Sequence, residues 1–400
     1  MGDRMPTGNR MPADAASICS DLVKIRSENP PGNTRECASY IGEFLEGIGI
    51  PVLYTRGIGG QTNVCSADQS NELLINGHID VVPALPDGWD HEPFSGMNDG
   101  IWVYGRGSSD MKGGVASVLA AAKRLADADE TPKVSFAFVC DEEGGGPNGT
   151  RYLIAKHVIH PCDCLIAEPT PAHAPCIGQK GLFRAVVQFT GEPAHSSLYP
   201  IAGNSAVMQV AEFLVRLKVL HAKTWPVSPE LVEIFSYSAE VARKSCGKDM
   251  SRIFRHISYN PGVIRGGERA NIVAQKCEVL LDMRLPWGVT AEEITRELMT
   301  LLPRSAKIVP DTTSDASLTS PDTKLVQTVC RCVGEAYGIA CRPIVQWAAS
   351  DARALRFAGF NAVEYGPGEL ETIHGVNERV GIDQLNIASS IYENIIRRYQ

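Results

Sequence analysis

Apolar residues recur every three to four positions in the first stretch of the chain that reads as folded. Ile18, Leu22 and Ile25 share one face of a helix expected over 13–27. The segment Asn29–Thr34 (NPPGNT) breaks it. Thr34 can then cap a second helix over 35–48, with Ile41, Leu45 and Ile48 on one side. Short apolar runs follow, in Pro51–Tyr54, Leu73–Asn76, Val134–Cys140 and Asp163–Glu168, and read as strands. Helices are expected between them near 112–127 and 149–158. Strand–helix alternation of this kind implies an α/β layer with a mixed, largely parallel sheet flanked by helices. The rhythm changes after Lys180-Gly181. A strand over Leu182–Thr190, a helix over 203–220, strands near 257–264 and 277–285 and a helix over 291–302 suggest a small α+β layer of ferredoxin-like kind. The stretch 222–255 carries no clear period, and the polar run 310–322 reads as a linker. A helix over 323–337, strands near 341–346 and 361–365, and a closing helix over 383–399 resume the α/β pattern. The expected division is therefore 1–180 and 311–400 for one domain, with 181–310 inserted into it.

Composition narrows what such a fold does. The 400 residues are 44% apolar and 21% charged, within the ordinary globular range, and the net charge is −8. An acidic chain is a poor partner for nucleic acid. The apolar runs are strand-sized, so no membrane span is expected. The first residues, MGDRMPTGNRMPADAAS, lack the apolar core of a secretory signal, and Met5 or Met11 is a candidate start; a cytoplasmic location is expected. The twelve cysteines are scattered among apolar neighbours and read as reduced core residues. Cys162-Asp163-Cys164 and Cys330-Arg331-Cys332 do not have the spacing of a zinc ribbon.

The candidate chemistry gathers at strand ends. His78 and Asp80 follow the run Leu73–Asn76, and in extended chain residues i and i+2 point the same way. Asp110 lies in the glycine-rich turn GRGSSDMKGG. Glu142 and Glu143 follow VSFAFVCD, Glu168 ends DCLIAE, and His374 lies past the strand near 361–365. A parallel sheet collects ligands at the carboxyl ends of its strands. Two histidines and five carboxylates on one rim would raise one another's pKa unless divalent cations balance them. This donor set suits zinc, or cobalt or manganese. An aspartate shared by two ions, with one His and one Glu for each, makes a two-metal centre, and one of the paired glutamates is left to act as general base. The turn lacks the GxxxxGK[ST] pattern of a phosphate loop, and no GxGxxG opens a helix after a strand.

GHIDVVPA, GRGSSDMKGG, CDEEGGG, AEPT and IHGVNE, in that order, resemble the di-zinc hydrolases that include acetylornithine deacetylase, succinyl-diaminopimelate desuccinylase, aminoacylase and glutamate carboxypeptidase. The resemblance spans roughly residues 15–398. It implies one zinc on His78 and Glu168, the other on Glu143 and His374, and Asp110 between them. It further implies Glu142 as general base, Asp80 as the holder of His78, and a cis peptide at Asp110–Met111. The inserted block is similar to the lid or dimerisation domain of these enzymes. GEPAHSS matches the segment whose histidine, here His195, stabilises the oxyanion across a homodimer. Lys180, Arg265, Asn271, Arg284 and Arg353 lie in segments resembling substrate-contacting ones, Arg284 foremost because a carboxylate favours an arginine fork. The implied reaction is hydrolysis of the amide of a small N-acyl amino acid, with carboxypeptidase or dipeptidase activity as the alternative and a non-catalytic metal-binding relative as a further one. SDAR (Ser350–Arg353) is similar to the desuccinylase, although Ala348-Ala349 stand where that enzyme usually carries glycine-threonine.

Overall fold

The computed structural model describes residues 14–400, so the two candidate initiators lie outside the described residues. Helices α1 (Ala15–Lys24) and α2 (Arg35–Gly47) lead into strands β1 (Val52–Arg56), β2 (Thr62–Ser66), β3 (Leu73–His78) and β4 (Trp102–Tyr104). Next come α3 (Lys112–Asp127), β5 (Ser135–Val139), α4 (Thr150–Ala155), β6 (Asp163–Ile166) and β7 (Cys176–Gln179). The middle of the chain forms β8 (Gly181–Thr190), α5 (Ala206–Ala222), α6 (Pro229–Cys246), β9 (Ser258–Gly266), β10 (Lys276–Leu285), α7 (Ala291–Leu301), β11 (Lys307–Ser314) and β12 (Ser317–Leu318). The remainder holds α8 (Lys324–Tyr337), β13 (Ile344–Gln346), α9 (Asp351–Phe357), β14 (Asn361–Glu364), β15 (Arg379–Gly381) and α10 (Ile382–Arg397). The elements fall into two compact units. One comprises the described residues up to Ile177, Thr319–Pro343 and Ser350–Gln400, and the other Gly178–Leu318 and Ile344–Ala349.

The first unit is built on a sheet of order β1-β2-β5-β3-β6-β14-β7. Its centre is parallel, β5 to β3, β3 to β6 and β6 to β14, while the pairs at both edges are antiparallel. The central strands are apolar without alternation because both faces are covered, as a parallel core requires. Helices α1, α3 and α10 pack on one another. Ile18, Leu22, Leu119, Leu385 and Ile391 among them are fully buried. Each such side chain contributes about 1.5–3 kcal/mol relative to exposure. The start of α3 is pressed against the end of β6. A Cβ at Gly114 would strike the carbonyl oxygen of Ala167, and so would one at Gly366. Glycine is the residue that permits this approach.

The second unit contains an antiparallel sheet of order β11-β8-β10-β9. Read along the chain, β8-α5-β9-β10-α7-β11 is the ferredoxin-like arrangement. Alternate residues of β10, Cys277, Val279, Leu281, Met283 and Leu285, face a core shared with Phe183, Val187 and Phe189 of β8, Phe213 and Leu217 of α5 and Ile294 and Leu298 of α7. Helix α6 is an addition between α5 and β9, in the stretch whose sequence has no clear period. Ser228 caps it by accepting from the N–H of Leu231, Pro229 occupies its first turn and Gly247 ends it in the left-handed conformation. Its Phe235 packs 5.0 Å from Trp287 and 6.2 Å from Phe254, ring centre to ring centre.

Two local expectations are corrected. The polar run 310–322 is not a linker: Pro310–Ser314 complete β11 on the sheet edge, where threonines pair well while staying partly exposed, and Ser317–Leu318 form β12. Thr34 precedes α2 but its hydroxyl does not cap the helix; it donates to the carbonyl of Thr62 instead (2.9 Å). The eleven cysteines whose side chains are described form no disulfide, and most are buried.

Candidate metal centre

Parallel pairing puts the carboxyl ends of β5, β3, β6 and β14 on one rim. His78 lies opposite Val139, Asn76 opposite Ile166, and Ile166 opposite Glu364. His78 therefore ends its strand where the chain leaves β5 toward Glu142 and Glu143 and β6 toward Glu168. Asp110 enters from the turn before α3, through a cis peptide to Met111. His374 enters from the loop after β14. His78 Nε2 lies 3.0 Å from Asp110 Oδ1 and 3.8 Å from Glu168 Oε1. His374 Nε2 lies 3.3 Å from Asp110 Oδ2 and 3.2 Å from Glu143 Oε2. Asp110 thus turns one oxygen to each histidine. Donor atoms of His78, Glu142 and Glu168 all fall within 4.8 Å of one another, as do those of His78, Asp110 and Glu143. Glu143 Oε1 is buried with no hydrogen-bond partner. An orphaned carboxylate oxygen among carboxylates and imidazoles is a donor set that fits a divalent cation.

The residues behind the cluster lock it in place. His78 Nδ1 is 2.9 Å from the main-chain carbonyl of Asp80 and 3.7 Å from its carboxylate. The contact of Asp80 with His78 is thus chiefly through its backbone. Its carboxylate accepts the N–H groups of Glu142 (3.2 Å) and Glu143 (3.1 Å), and so fixes the loop that carries both glutamates. Asn29, read in the sequence only as part of a chain break, donates from Nδ2 to Asp80 (2.9 Å) and to Asp141 (3.1 Å).

The Peptidase family M20/M25/M40 model matches residues 74–398. The chain belongs to this family. Among its relatives, the succinyl-diaminopimelate desuccinylase of Paracoccus denitrificans is 28% identical over 416 residues, covering 96% of this chain and 98% of that protein. The desuccinylase of Helicobacter hepaticus is 26% identical, covering 83% of this chain and 82% of its own length. The fold is shared with an M20 metallo-carboxypeptidase from Sulfolobus solfataricus (TM-score 0.77, 20% identity, 96% of this chain and 99% of that one). It is also shared with a tripeptidase from Staphylococcus aureus (TM-score 0.73, 19% identity, 96% and 97%). The expected α/β fold with an inserted α+β unit is thus that of a metal-dependent M20 hydrolase. Among the described residues no helix is long and apolar enough to cross a membrane.

The electrostatics of this M20 cluster are those of a crowded anionic site. Burial pushes the carboxyl of Glu142 well above its ordinary value; His78 opposes this, while Asp351, Glu143 and Asp110 reinforce it. Glu168 is raised for the same leading reason. Burial works against a charged His78, yet Glu168, Asp110 and Glu142 outweigh it and hold the imidazole protonated well above its usual range. Hydrogen bonds to the carboxylates of Asp110 and Glu143 raise His374 to about 10. Asp110 goes the other way: burial would raise it, but the two histidines hold it below the usual carboxylate range. Asp351 of the SDAR segment is raised to about 6, mainly by burial, and accepts a 2.6 Å hydrogen bond from Thr150.

The remaining candidates are dispersed. Arg353 is buried on α9 in the first unit. In the second unit His195 precedes a short 3₁₀ turn, with Nδ1 2.8 Å from Ser197 Oγ. It bridges to Ile272, beside Asn271, whose carbonyl accepts the N–H of Ser196. Arg284 sits at the end of β10 with Nε 3.1 Å from Asp282 Oδ1. Arg265 lies on β9 opposite Glu278. Lys180 departs from expectation. It is fully buried, and its ammonium donates to the carbonyls of Ile253 and His256 (2.7 Å each) and to Ser258 Oγ (3.0 Å). Three donors meet three acceptors, which makes Lys180 a staple for residues 253–258.

Proposed function

We propose that the protein hydrolyses the amide bond of a small N-acyl amino acid, of the N-succinyl-diaminopimelate or N-acetylornithine type, with two zinc ions. The observation supporting this reading is Asp110 set between two His/Glu pairs, with Glu142 beside the His78/Glu168 pair. His78 and Glu168 would hold one ion, Glu143 and His374 the other, and Asp110 would share both. Ions bound there would polarise the substrate carbonyl and acidify the attacking water. Glu142 takes the proton from that water and returns it to the amine nitrogen as the C–N bond breaks. Burial raises its proton affinity, which suits a group that must accept a proton and then pass it on. Asp80 keeps the backbone of Glu142 and Glu143 still during the transfer. Arg284, with Asn271, Arg265 and Arg353, is the proposed source of contacts to the substrate carboxylate, and His195 from a second copy of the chain the source of oxyanion stabilisation. A cytoplasmic location is part of the same reading.

The low identity to the desuccinylases leaves the acyl group to experiment. Comparing kcat/KM for N-succinyl-diaminopimelate, N-acetylornithine, other N-acyl amino acids and dipeptides ranks deacylase against peptidase. Chelation should abolish turnover and zinc or cobalt restore it. Glu142→Ala should keep its metal while losing about 10²–10⁴-fold in kcat; a fully active variant would sink the mechanism. A homodimer is supported by exposed Val207, Met208, Val215 and Val219 on α5, which packs against β9 with exposed Val263 and Ile264. Light scattering that finds only monomer at micromolar concentration would remove the dimer from this reading.

A further inference from the structure

Glu378 has no part in the metal reading above, yet its carboxylate is fully buried near the cluster. One oxygen, Oε1, accepts three main-chain N–H groups, from Gly107 (3.0 Å), Ser109 (3.1 Å) and Asp110 (3.1 Å). The other oxygen is paired with Arg106 Nη1. Arg106 is itself buried, lies over the ring of Trp89, and donates from Nη2 to the carbonyl of His374 (3.3 Å). The backbone carbonyl of Glu378 also accepts the N–H of Gly105 (2.8 Å). A single ion pair is therefore tied to the turn bearing Asp110 and to the loop bearing His374. These two segments are far apart in sequence, and no strand ladder joins Asp110 to His374 directly among the described residues. His374 needs such a tie, because its φ of 61° is a left-handed conformation that a side-chain-bearing residue holds only under restraint.

We propose that Glu378 and Arg106 are positioning residues that set the distance and orientation between Asp110 and His374, and hence the affinity of the ion those two would share with Glu143. The proposal rests on the two-metal reading. The Glu378 carboxylate gathers the N–H groups of Gly107, Ser109 and Asp110, while the Asp110 side chain has its oxygens divided between the histidines. Arg106 balances the Glu378 charge, so that this buried anion does not compete with Asp110 for a cation.

The test is zinc titration of chelator-stripped protein against a chromophoric zinc chelator, with the metal-free melting temperature measured in parallel. Wild type should take up two zinc ions per chain. Glu378→Ala should weaken one of them about 10–100-fold. Glu378→Gln should weaken it less, because the Gln oxygen keeps the acceptor for the three N–H groups, although its NH₂ cannot accept from Arg106. A pair that merely supports the fold would lower the metal-free melting temperature and leave both zinc affinities at the wild-type value, and that result would overturn the proposal. If Glu378→Ala does not fold, the isosteric Gln variant decides by the same criterion. Wild type that binds no zinc would instead remove the two-metal reading, and this proposal with it.

Discussion

His78 and His374 present the same atom to the same aspartate, yet the first side chain is 1% exposed and the second 50%. His78 ends a strand paired on both sides, and its ring is fixed by the Asp80 carbonyl. His374 stands on a loop in a left-handed conformation, secured by side-chain ties that reach it from Arg106. Glu168 and Glu143 divide the same way: one follows β6 directly, while the other depends on a loop pinned by Asp80 and Asn29. The difference teaches that a nearly symmetric set of proposed ligands can be assembled from one half that the sheet makes rigid and another that hydrogen bonds must hold.

Stability should show the largest contrast. His78→Ala removes the group facing Asp110, Glu168 and Glu142 in a dry site and should cost the metal-free protein on the order of 3–5 kcal/mol. His374→Ala, at a half-exposed position, should cost under about 1 kcal/mol. Equal losses in urea unfolding would erase the distinction between the halves. Metal content should differ next. His374→Ala is expected to retain one zinc per chain by elemental analysis, and a variant that retains both would show that His374 is no ligand. The pH response should be the smallest effect. In the metal-free protein His374 titrates near 10 against an ordinary 6.5. A raised histidine adds stability below its unfolded pKa and loses it as the pH climbs through the folded one. The metal-free protein should therefore melt at lower temperature as pH rises from about 6.5 to 10, and His374→Ala should flatten that slope. Zinc ligation needs neutral imidazole, so the loaded protein should instead lose metal on acidification. A metal-free slope unchanged by His374→Ala would place the titrating group elsewhere.

Strands β1, β3, β5, β6 and β14 and the cluster residues were legible because each has a local mark, whereas β2 and β7 were not. Apolar runs of strand length end in glycine or an acidic residue, and most of the cluster residues lie at or past such ends, while Asp110 is marked by its glycine-rich turn. The same logic missed α6, although Ser228, Pro229 and Gly247 mark its limits, because its few buried positions are interleaved with Ser238 and charged residues. Strands β4, β12 and β15 are too short for any alternation to register. The role of Asp80 could be read only in part: its i+2 spacing to His78 is local, whereas its bonds to the N–H groups of Glu142 and Glu143 depend on β3 and β5 lying side by side. Asn29, Arg106 and Glu378 act across intervals of fifty to nearly three hundred residues, and Lys180 across more than seventy. Those separations are set by tertiary packing, which leaves no period in the chain.

Gly114 and Gly366 both crowd the Ala167–Glu168 backbone where any side chain would collide. Neither can donate, accept or ligate through a side chain, yet both are expected to fail in a saturation screen alongside the proposed ligand Glu168. A map of intolerant positions drawn from such a screen would enclose more residues than the reaction uses. Separating those that act from those that only make room would require assaying the purified variants for bound metal and for folding independently.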